Sequence, residues 1–250
     1  MGNPFEFDVR VVDGLFDLDR LDALYRSGAA TGDAFARVRG ADVELRRPLA
    51  EELASGQLEV TLSDVLEWAP EYNPMCDRAL YDAGAYFAQQ LVALRVDIRI
   101  SAPDGPAALY ADPSSRLNVE VGGRSVWHYA KPDELTVEEH ERLTADGSLP
   151  WRPLDRVITF DLGPGRACAA PPHWPHWVEH PGPEPAISFE VAFLTPDEAL
   201  ERKVWGVNRI LRATRVLDPD PPGVSRAKDV VKKHLYNAVS LATRRTRTPA

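Results

Sequence analysis

Apolar and polar residues alternate along two stretches of the chain, one that begins near Leu94 and one that covers 186–194. Successive side chains of a β-strand point to opposite faces of a sheet, so this spacing is typical of a strand with one buried face. The apolar positions are Val96, Ile98 and Ile100 in the first stretch and Ile187, Phe189, Val191 and Phe193 in the second. The pattern predicts two half-buried strands and leaves Glu190 on the polar face.

Further strands are predicted between these two, with glycine turns separating them. Residues 117–121 and 125–129 flank Gly122-Gly123, and glycine readily adopts the positive φ that a tight turn needs, so this segment predicts a β-hairpin. Residues 157–162, 163–165 and 168–170 predict a strand, a turn and another strand. The series of strands from about 91 to 195 favours a mainly β fold with flanking helices.

Helical spacing occurs on both sides of the strands. Helix starts are predicted at Pro48 and Thr61, and the longer predicted helices are an amphipathic one over 76–92, a capped one from Thr136, and two C-terminal ones over 196–216 and 226–245. We therefore expect a single domain in three parts. Residues 1–90 form a helical or irregular region that packs on the β structure, residues 91–195 form the β structure, and residues 196–250 form basic helices.

Composition narrows the class of protein. The chain has 250 residues, of which 44% are hydrophobic, and this is enough for one core. No apolar run is long enough to span a bilayer, and the N-terminus has no signal-peptide pattern. Two cysteines are too few for a disulfide framework. We expect a cytoplasmic protein that does not contact a membrane.

Charge is distributed unevenly along the chain. The net charge is -9, but residues 201–250 hold twelve Lys/Arg against four Asp/Glu. A basic segment of this kind contacts nucleic acid in some proteins, but the surface of a solvated helix has the same composition, and no helix-turn-helix is evident. Nucleic acid is therefore not expected as a partner. Whether the chain forms a homo-oligomer is left open.

Two stretches of sequence carry a resemblance to a known family. The first is 109–112 (Leu-Tyr-Ala-Asp) followed by 117–124, and the second is 162–165 followed by 171–179 (Pro-Pro-His-Trp-Pro-His-Trp-Val-Glu). Together they resemble bacterial cupin-like proteins of the JmjC type, which are related to asparaginyl hydroxylases that use Fe(II) and 2-oxoglutarate. The resemblance implies a double-stranded β-helix, the cupin/JmjC-like jelly roll.

The resemblance also implies a metal site. In the family, one aspartate and two histidines bind iron on one face. Asp112 matches the aspartate and His176 the distal histidine, whereas Tyr110 stands at the position of the first histidine. A neutral tyrosine, with a pKa near ~10, is a poor ligand for Fe(II). We expect Fe(II) or another divalent metal at Asp112 and His176, completed by Glu190, Tyr110 or water, or else a hydrogen-bonded remnant of such a site.

The positions that hold the cosubstrate depart further from the family. Ser125 stands where the resemblance predicts the lysine that anchors 2-oxoglutarate, and Glu190 replaces Ser or Asn near the other carboxylate of the cosubstrate. A glutamate there would repel an anion. Arg116 is able to hold a carboxylate bidentately. We assign Arg116 and Ser125 to the cofactor pocket and expect ordinary 2-oxoglutarate chemistry to be lost.

Three functions stay open. The first is an atypical Fe(II)-dependent oxygenase. The second is a redox-neutral enzyme in which Tyr110, Asp112, His176 and Glu190 perform acid/base work on a small molecule or a peptide side chain. The third is a non-catalytic ligand-binding or regulatory protein. In each case the residues predicted to line the pocket are aromatic, although such residues often fill the core of a barrel: Trp127, His128 and Trp174.

Overall fold

The computed structural model describes residues 3–38, 41–54, 56–84, 91–102, 108–146, 148–214 and 219–245. Within these residues, the strands are β1 (Phe5–Asp8), β2 (Ala34–Val38), β3 (Ala41–Val43), β4 (Leu58–Leu62), β5 (Ala93–Ser101), β6 (Ala108–Tyr110), β7 (Ser115–Gly122), β8 (Ser125–Ala130), β9 (Ser148–Pro150), β10 (Val157–Leu162), β11 (Arg166–Ala170), β12 (His176–Glu179) and β13 (Ala186–Leu194). The helices are α1 (Leu18–Thr31), α2 (Leu49–Ala54), α3 (Val65–Trp68), α4 (Asn73–Asp82), α5 (Val137–Asp146), α6 (Pro196–Ala213) and α7 (Arg226–Arg245).

The described strands form a large and a small antiparallel sheet. The large sheet has the order β1-β11-β7-β13-β5-β4-β2-β3, and the small sheet has the order β10-β8-β12-β6-β9. The helices precede these strands, connect them or follow them. The fold is therefore mainly β with flanking helices, as the sequence predicts.

One face of the large sheet is apolar and shares a core with the N-terminal helices. The alternating apolar residues of β5 and β13 are buried on this face. Helices α1, α2 and α4 contribute to the same core through Leu21, Leu49, Leu53, Met75 and Ala79. This burial confirms the half-buried strands that the alternation predicts, and it turns the polar residues of the same strands to the opposite face.

The polar face of the large sheet points into the space between the two sheets. Its charged and amide side chains include Arg99, Arg116, Asn118, Glu120 and Glu190. The small sheet covers them with the aromatic rings of Trp127 and Tyr129, which pack with Cys168 of the large sheet. The two sheets enclose a barrel whose lining is polar on the side of the large sheet.

The turn at Gly122-Gly123 is a corner between the sheets, so the predicted hairpin is wrong. Strand β7 pairs with β11 and β13 in the large sheet, whereas β8 pairs with β10 and β12 in the small sheet. Gly123 has a φ of +69°, and a Cβ at this position would overlap the carbonyl oxygen of Pro185. Paired glycines mark a sharp turn, but a sharp turn serves a corner as well as a hairpin.

The N-terminal region contains more β structure than the sequence predicts. Strands β2 and β4 extend the large sheet beside β5. Thr61, predicted to begin a helix, lies within β4, because the buried Leu58, Val60 and Leu62 alternate as a strand requires. Helix α4 ends at Asp82, and residues 85–90 of the helix predicted over 76–92 lie outside the described residues.

The three helices predicted from Thr136 onwards are present as α5, α6 and α7. Helix α5 begins with the predicted cap, in which Thr136 and Glu139 exchange hydrogen bonds at 2.9 and 3.2 Å. Helices α6 and α7 form the C-terminal pair, and an ion pair between Arg212 and Glu141 joins α6 to α5. Among the described residues, no helix is long and apolar enough to cross a membrane.

Candidate functional site

One end of the barrel brings four charged or titratable side chains together. Arg116 lies near the start of β7, and Glu190 lies on β13, the neighbouring strand. Asp112 follows β6 in the loop that leads to β7, and His176 is the first residue of β12. We call this end of the barrel the mouth and define it by Asp112, Arg116, His176 and Glu190. The backbone of Asp112 is fixed there because its carbonyl accepts a 2.7 Å hydrogen bond from the His173 N–H.

Arg116 lies between two acidic side chains. Its guanidinium donates to Asp112 Oδ1 at 2.7 Å and to Glu190 Oε2 in a second short hydrogen bond. Arg99 forms a further ion pair with Glu190, with 3.2 Å between Arg99 Nε and Glu190 Oε1. Ions withdrawn from water need partners of opposite charge. The mouth provides them by placing two guanidinium groups beside two carboxyl groups.

Burial and ion pairing shift the pKa values of Asp112 and Glu190 in opposite directions. Burial raises the pKa of Asp112, but the positive charge of Arg116, aided by His176 and Arg99, outweighs burial and holds the pKa below its usual value. At Glu190, burial prevails and the pKa is raised, although Arg99 and Arg116 oppose the shift. Asp112 is therefore an ionised carboxylate at neutral pH.

His176 is oriented by a backbone contact. Its Nδ1 lies 3.0 Å from the carbonyl oxygen of Trp174, and because a carbonyl can only accept, Nδ1 carries the hydrogen. Nε2 lies 3.6 Å from Asp112 Oδ2. Burial lowers the pKa of His176, although the charge of Asp112 opposes this shift. His176 is thus neutral at pH 7 and has a free lone pair on Nε2.

Tyr110 is the cross-strand neighbour of His176. The two residues are paired between β6 and β12, and their ring centroids lie 6.1 Å apart. Burial raises the pKa of Tyr110, and the charge of Glu59 adds to this effect. Its phenol is therefore protonated at neutral pH, which suits a proton donor and not a ligand of a divalent metal.

A narrow recess opens at the mouth, and it has no interior space for a water-sized molecule in this structure. A ligand that enters it must therefore displace side chains of its wall. Of the predicted aromatic residues, Trp174 lines the recess, and Trp127 stacks on Tyr129 with ring centroids 6.2 Å apart. The residues of its wall are Asp112, Ser114, Arg116, Tyr129, Ala170, Pro171, Trp174 and His176.

Two predicted site residues lie away from the mouth. His128 is on the outer face of the small sheet, where it stacks on Trp177 with ring centroids 4.8 Å apart. Since side chains alternate along β8, the inward orientation of Trp127 and Tyr129 turns His128 outward. Ser125 lies further along the barrel, 3.2 Å from His180 Nδ1 and hydrogen-bonded to Glu120.

The side chains of the mouth do not fit a bound divalent metal. Asp112, which matches the family's carboxylate ligand, is engaged by Arg116, and a guanidinium at this distance repels a metal cation. Tyr110, which the resemblance places at the first histidine, is a protonated phenol. Among the described residues, no group of three His, Cys, Asp or Glu side chains is arranged to hold a metal ion.

Two further residues of this region were not predicted. Arg99 binds Glu190 from β5, and Tyr129 lines the recess and accepts a 2.8 Å hydrogen bond from the Asn118 amide. Both could have been found from alternation, since Arg99 lies on the polar side of its strand and Tyr129 is two residues from Trp127.

The two sheets and their flanking helices form the double-stranded β-helix of cupin and JmjC-like proteins, as the resemblance predicts. Among solved structures, the chain is similar to the ribosomal oxygenase YcfD from Escherichia coli in complex with cobalt and 2-oxoglutarate, with a TM-score of 0.54 and 16% identity over 96% of this chain and 63% of that one. A second structure, of E. coli ycfD, gives a TM-score of 0.56 with 16% identity over 96% of this chain and 64% of that one.

These similarities concern the fold. This chain spans less than two thirds of the YcfD chains that it matches. Neither the protein-family models nor the curated proteins compared with the chain give a match. The chemistry that the site can perform therefore depends on the side chains at the mouth.

Proposed function

We propose that this chain is a JmjC-type cupin enzyme that performs redox-neutral acid/base chemistry on a small molecule or a peptide side chain. The observation that carries the proposal is the state of His176. Its Nδ1 hydrogen is bound to a carbonyl, its pKa is lowered, and its Nε2 lies beside an ionised Asp112 at the recess. A histidine in this state accepts a proton at neutral pH.

In the proposed step, His176 Nε2 removes a proton from a substrate bound in the recess. The imidazolium that forms is attracted by Asp112, whose Oδ2 lies 3.6 Å away. Arg116 lines the same recess, and its fixed positive charge stabilises negative charge that develops on the substrate. Tyr110, protonated and adjacent to His176, is the candidate that donates its own phenolic proton to a second position of the substrate, and transfer of the proton from the His176 imidazolium to the phenolate then restores both groups. An isomerisation or a cyclisation has this sequence of steps.

An Fe(II)-dependent oxygenase has less support. It would require Asp112 to exchange its hydrogen bond with Arg116 for a metal, and it would require a cation to hold 2-oxoglutarate where Ser125 and Glu190 stand. Oxygenase activity is a property of the YcfD proteins, and at 16% identity the likeness extends to the fold alone.

A screen for turnover tests the proposal. Purified protein is incubated with mixtures of small metabolites and peptides, with and without Fe(II), ascorbate and 2-oxoglutarate, and the products are followed by mass spectrometry. We expect a product whose mass is unchanged or differs by water, formed without added metal. His176→Gln should lower the rate about 10²–10⁴-fold, the usual contribution of a general base. His128→Gln is the matched control, because His128 lies on the outer face of the small sheet.

Three outcomes separate the candidate functions. Metal-independent turnover that His176→Gln abolishes and His128→Gln preserves would support the acid/base enzyme. A product that has gained one oxygen atom, formed together with succinate, would replace this proposal with the oxygenase. A compound that binds the recess and is returned unchanged would favour a ligand-binding protein and contradict the enzymatic proposal.

A further inference from the structure

The position of the Arg116 guanidinium distinguishes this site most clearly from that of a metal-dependent enzyme. The guanidinium bridges Asp112, the residue that matches the metal-binding carboxylate, and the buried Glu190. We infer that Arg116 is a built-in cation that takes the place of a divalent metal ion, and that its removal opens a divalent-cation site at Asp112, His176 and Glu190. The inference rests on one part of the proposed function, namely that the intact site works without a bound metal.

Charge balance is the first argument. Glu190 is buried and Asp112 is partly exposed, and the described cations that contact these two acids are Arg116 and Arg99. The two guanidinium groups together supply two positive charges, as one divalent metal ion would. If one of the two guanidinium groups is removed, one negative charge is left without a counterion, and this is unfavourable.

Geometry is the second argument. A guanidinium is planar, always protonated, and able to donate to two carboxylates at once from different nitrogens, as Arg116 does here. Its position is fixed by the sheet, since the next residue, Leu117, is buried on the opposite face and Glu190 is paired with Asn118 on the neighbouring strand. The cation therefore belongs to the framework of the barrel.

The donor atoms that remain without Arg116 form the third argument. Asp112 and Glu190 would offer oxygen atoms, and His176 would offer Nε2, whose lone pair is free because Nδ1 carries the hydrogen. Oxygen and imidazole donors suit Mn²⁺, Fe²⁺, Co²⁺ and Zn²⁺. With Arg116 in place, the guanidinium bridges the two acids, and the three side chains are not arranged to hold a metal ion. Replacing it by a small side chain would remove the hydrogen bonds that fix the two carboxylates and would let them turn towards an ion in the space that the guanidinium leaves.

Metal titration of matched variants tests the inference. The proteins are the wild type, Arg116→Ala, Arg116→Lys and the double variant Asp112→Asn/Arg116→Ala, and the probes are Mn²⁺ and Co²⁺, followed by calorimetry and by thermal unfolding. We expect Arg116→Ala to bind at least about tenfold more tightly than the wild type and to gain several degrees in Tm with metal. Arg116→Lys, which keeps the charge, and the double variant, which loses a ligand, should behave like the wild type.

Each contrary result has a distinct meaning. Wild-type protein that binds either ion at Asp112 as tightly as Arg116→Ala would overturn both the inference and the metal independence of the proposed function. A folded Arg116→Ala that binds no more tightly than the wild type would overturn the inference and leave the acid/base proposal standing. If Arg116→Ala does not fold alone, Arg116→Gln is tested in the same way. Failure of Mn²⁺, Co²⁺ and methylguanidinium to restore folding of either variant would also overturn the inference.

Discussion

The barrel buries acidic side chains in different ways at its two ends. At the end away from the mouth, Glu120 is buried and accepts hydrogen bonds from the Ile187 backbone N–H at 3.0 Å and the Ser188 hydroxyl at 3.2 Å. Burial raises the pKa of Glu120 to about 8, so this acid is mostly protonated at neutral pH. At the mouth, Asp112 and Glu190 are held by guanidinium groups.

The two ends therefore differ in role: Glu120 supports the fold, whereas Asp112 belongs to the candidate site. A protonated Glu120 is uncharged, and its hydrogen bonds bridge β7 to β13 where the strand pairing shifts between Ile187 and Ser188. An ionised Asp112 keeps its charge beside a neutral histidine, so a proton that arrives at His176 is stabilised. We therefore expect substitutions at the mouth to affect stability, ion binding and turnover, and substitutions at the other end to affect stability alone.

The largest effect is expected from the loss of the bridging cation. Arg116→Ala should lower the free energy of unfolding by about 3–5 kcal/mol, because it takes one of two cations from the buried Glu190 and the guanidinium partner from the partly exposed Asp112. Urea unfolding measures this loss. Arg124→Ala is the matched control, since Arg124 forms its ion pair with Asp161 at an exposed position and should cost little. A loss below about 1 kcal/mol for Arg116→Ala would mean that the guanidinium does not hold the mouth together.

The effect expected at Glu120 is small between neighbouring pH values and accumulates with pH. The folded-state pKa is about 8 and the ordinary value is 4.5, so the folded state holds this proton more tightly. The free energy of unfolding should therefore fall as the pH rises from about 4.5 towards 8, by up to about 1.4 kcal/mol per pH unit. Glu120→Gln, which cannot ionise, should show a flatter profile across this range. Profiles of equal slope would show that Glu120 is not buried as an acid.

The smallest effect is expected at Ser125. Ser125→Ala removes a hydrogen bond to Glu120 and should cost about 1 kcal/mol. Because Ser125 lies with Glu120 and His180 away from the recess, turnover and the affinity for Mn²⁺ should stay at wild-type values. A change in either property without loss of folding would return Ser125 to the functional site, where alignment with the family had assigned it.

Alternation predicts much of the barrel because it reports directly on which face of a strand is buried. It identified β5 and β13, and it put Glu190 on the polar side of its strand. The same rule, applied strictly, excludes His128 from the pocket once Trp127 faces inward. The hairpin prediction was wrong because a sequence indicates where a strand ends but not which strand becomes its neighbour.

The ion pair between Arg116 and Asp112 could not be predicted from the sequence, for a related reason. Asp112 lies in a loop and Arg116 in a strand, so no helical or strand period relates their four-residue spacing to a contact. Glu190, the other partner of Arg116, is 74 residues away and reaches it by sheet pairing. The resemblance supplied the identity of Asp112 and His176, but it gave no sign that a guanidinium contacts Asp112.

The central claim, that Arg116 replaces a metal at the mouth, is tested most directly by crystallography of the wild-type protein. Crystals are soaked without oxygen in Mn²⁺ and 2-oxoglutarate, and anomalous scattering is recorded at the manganese absorption edge. We predict no anomalous peak between Asp112 and His176, with Arg116 still hydrogen-bonded to Asp112 and Glu190. A manganese peak at Asp112 and His176, with the Arg116 side chain displaced, would contradict the claim.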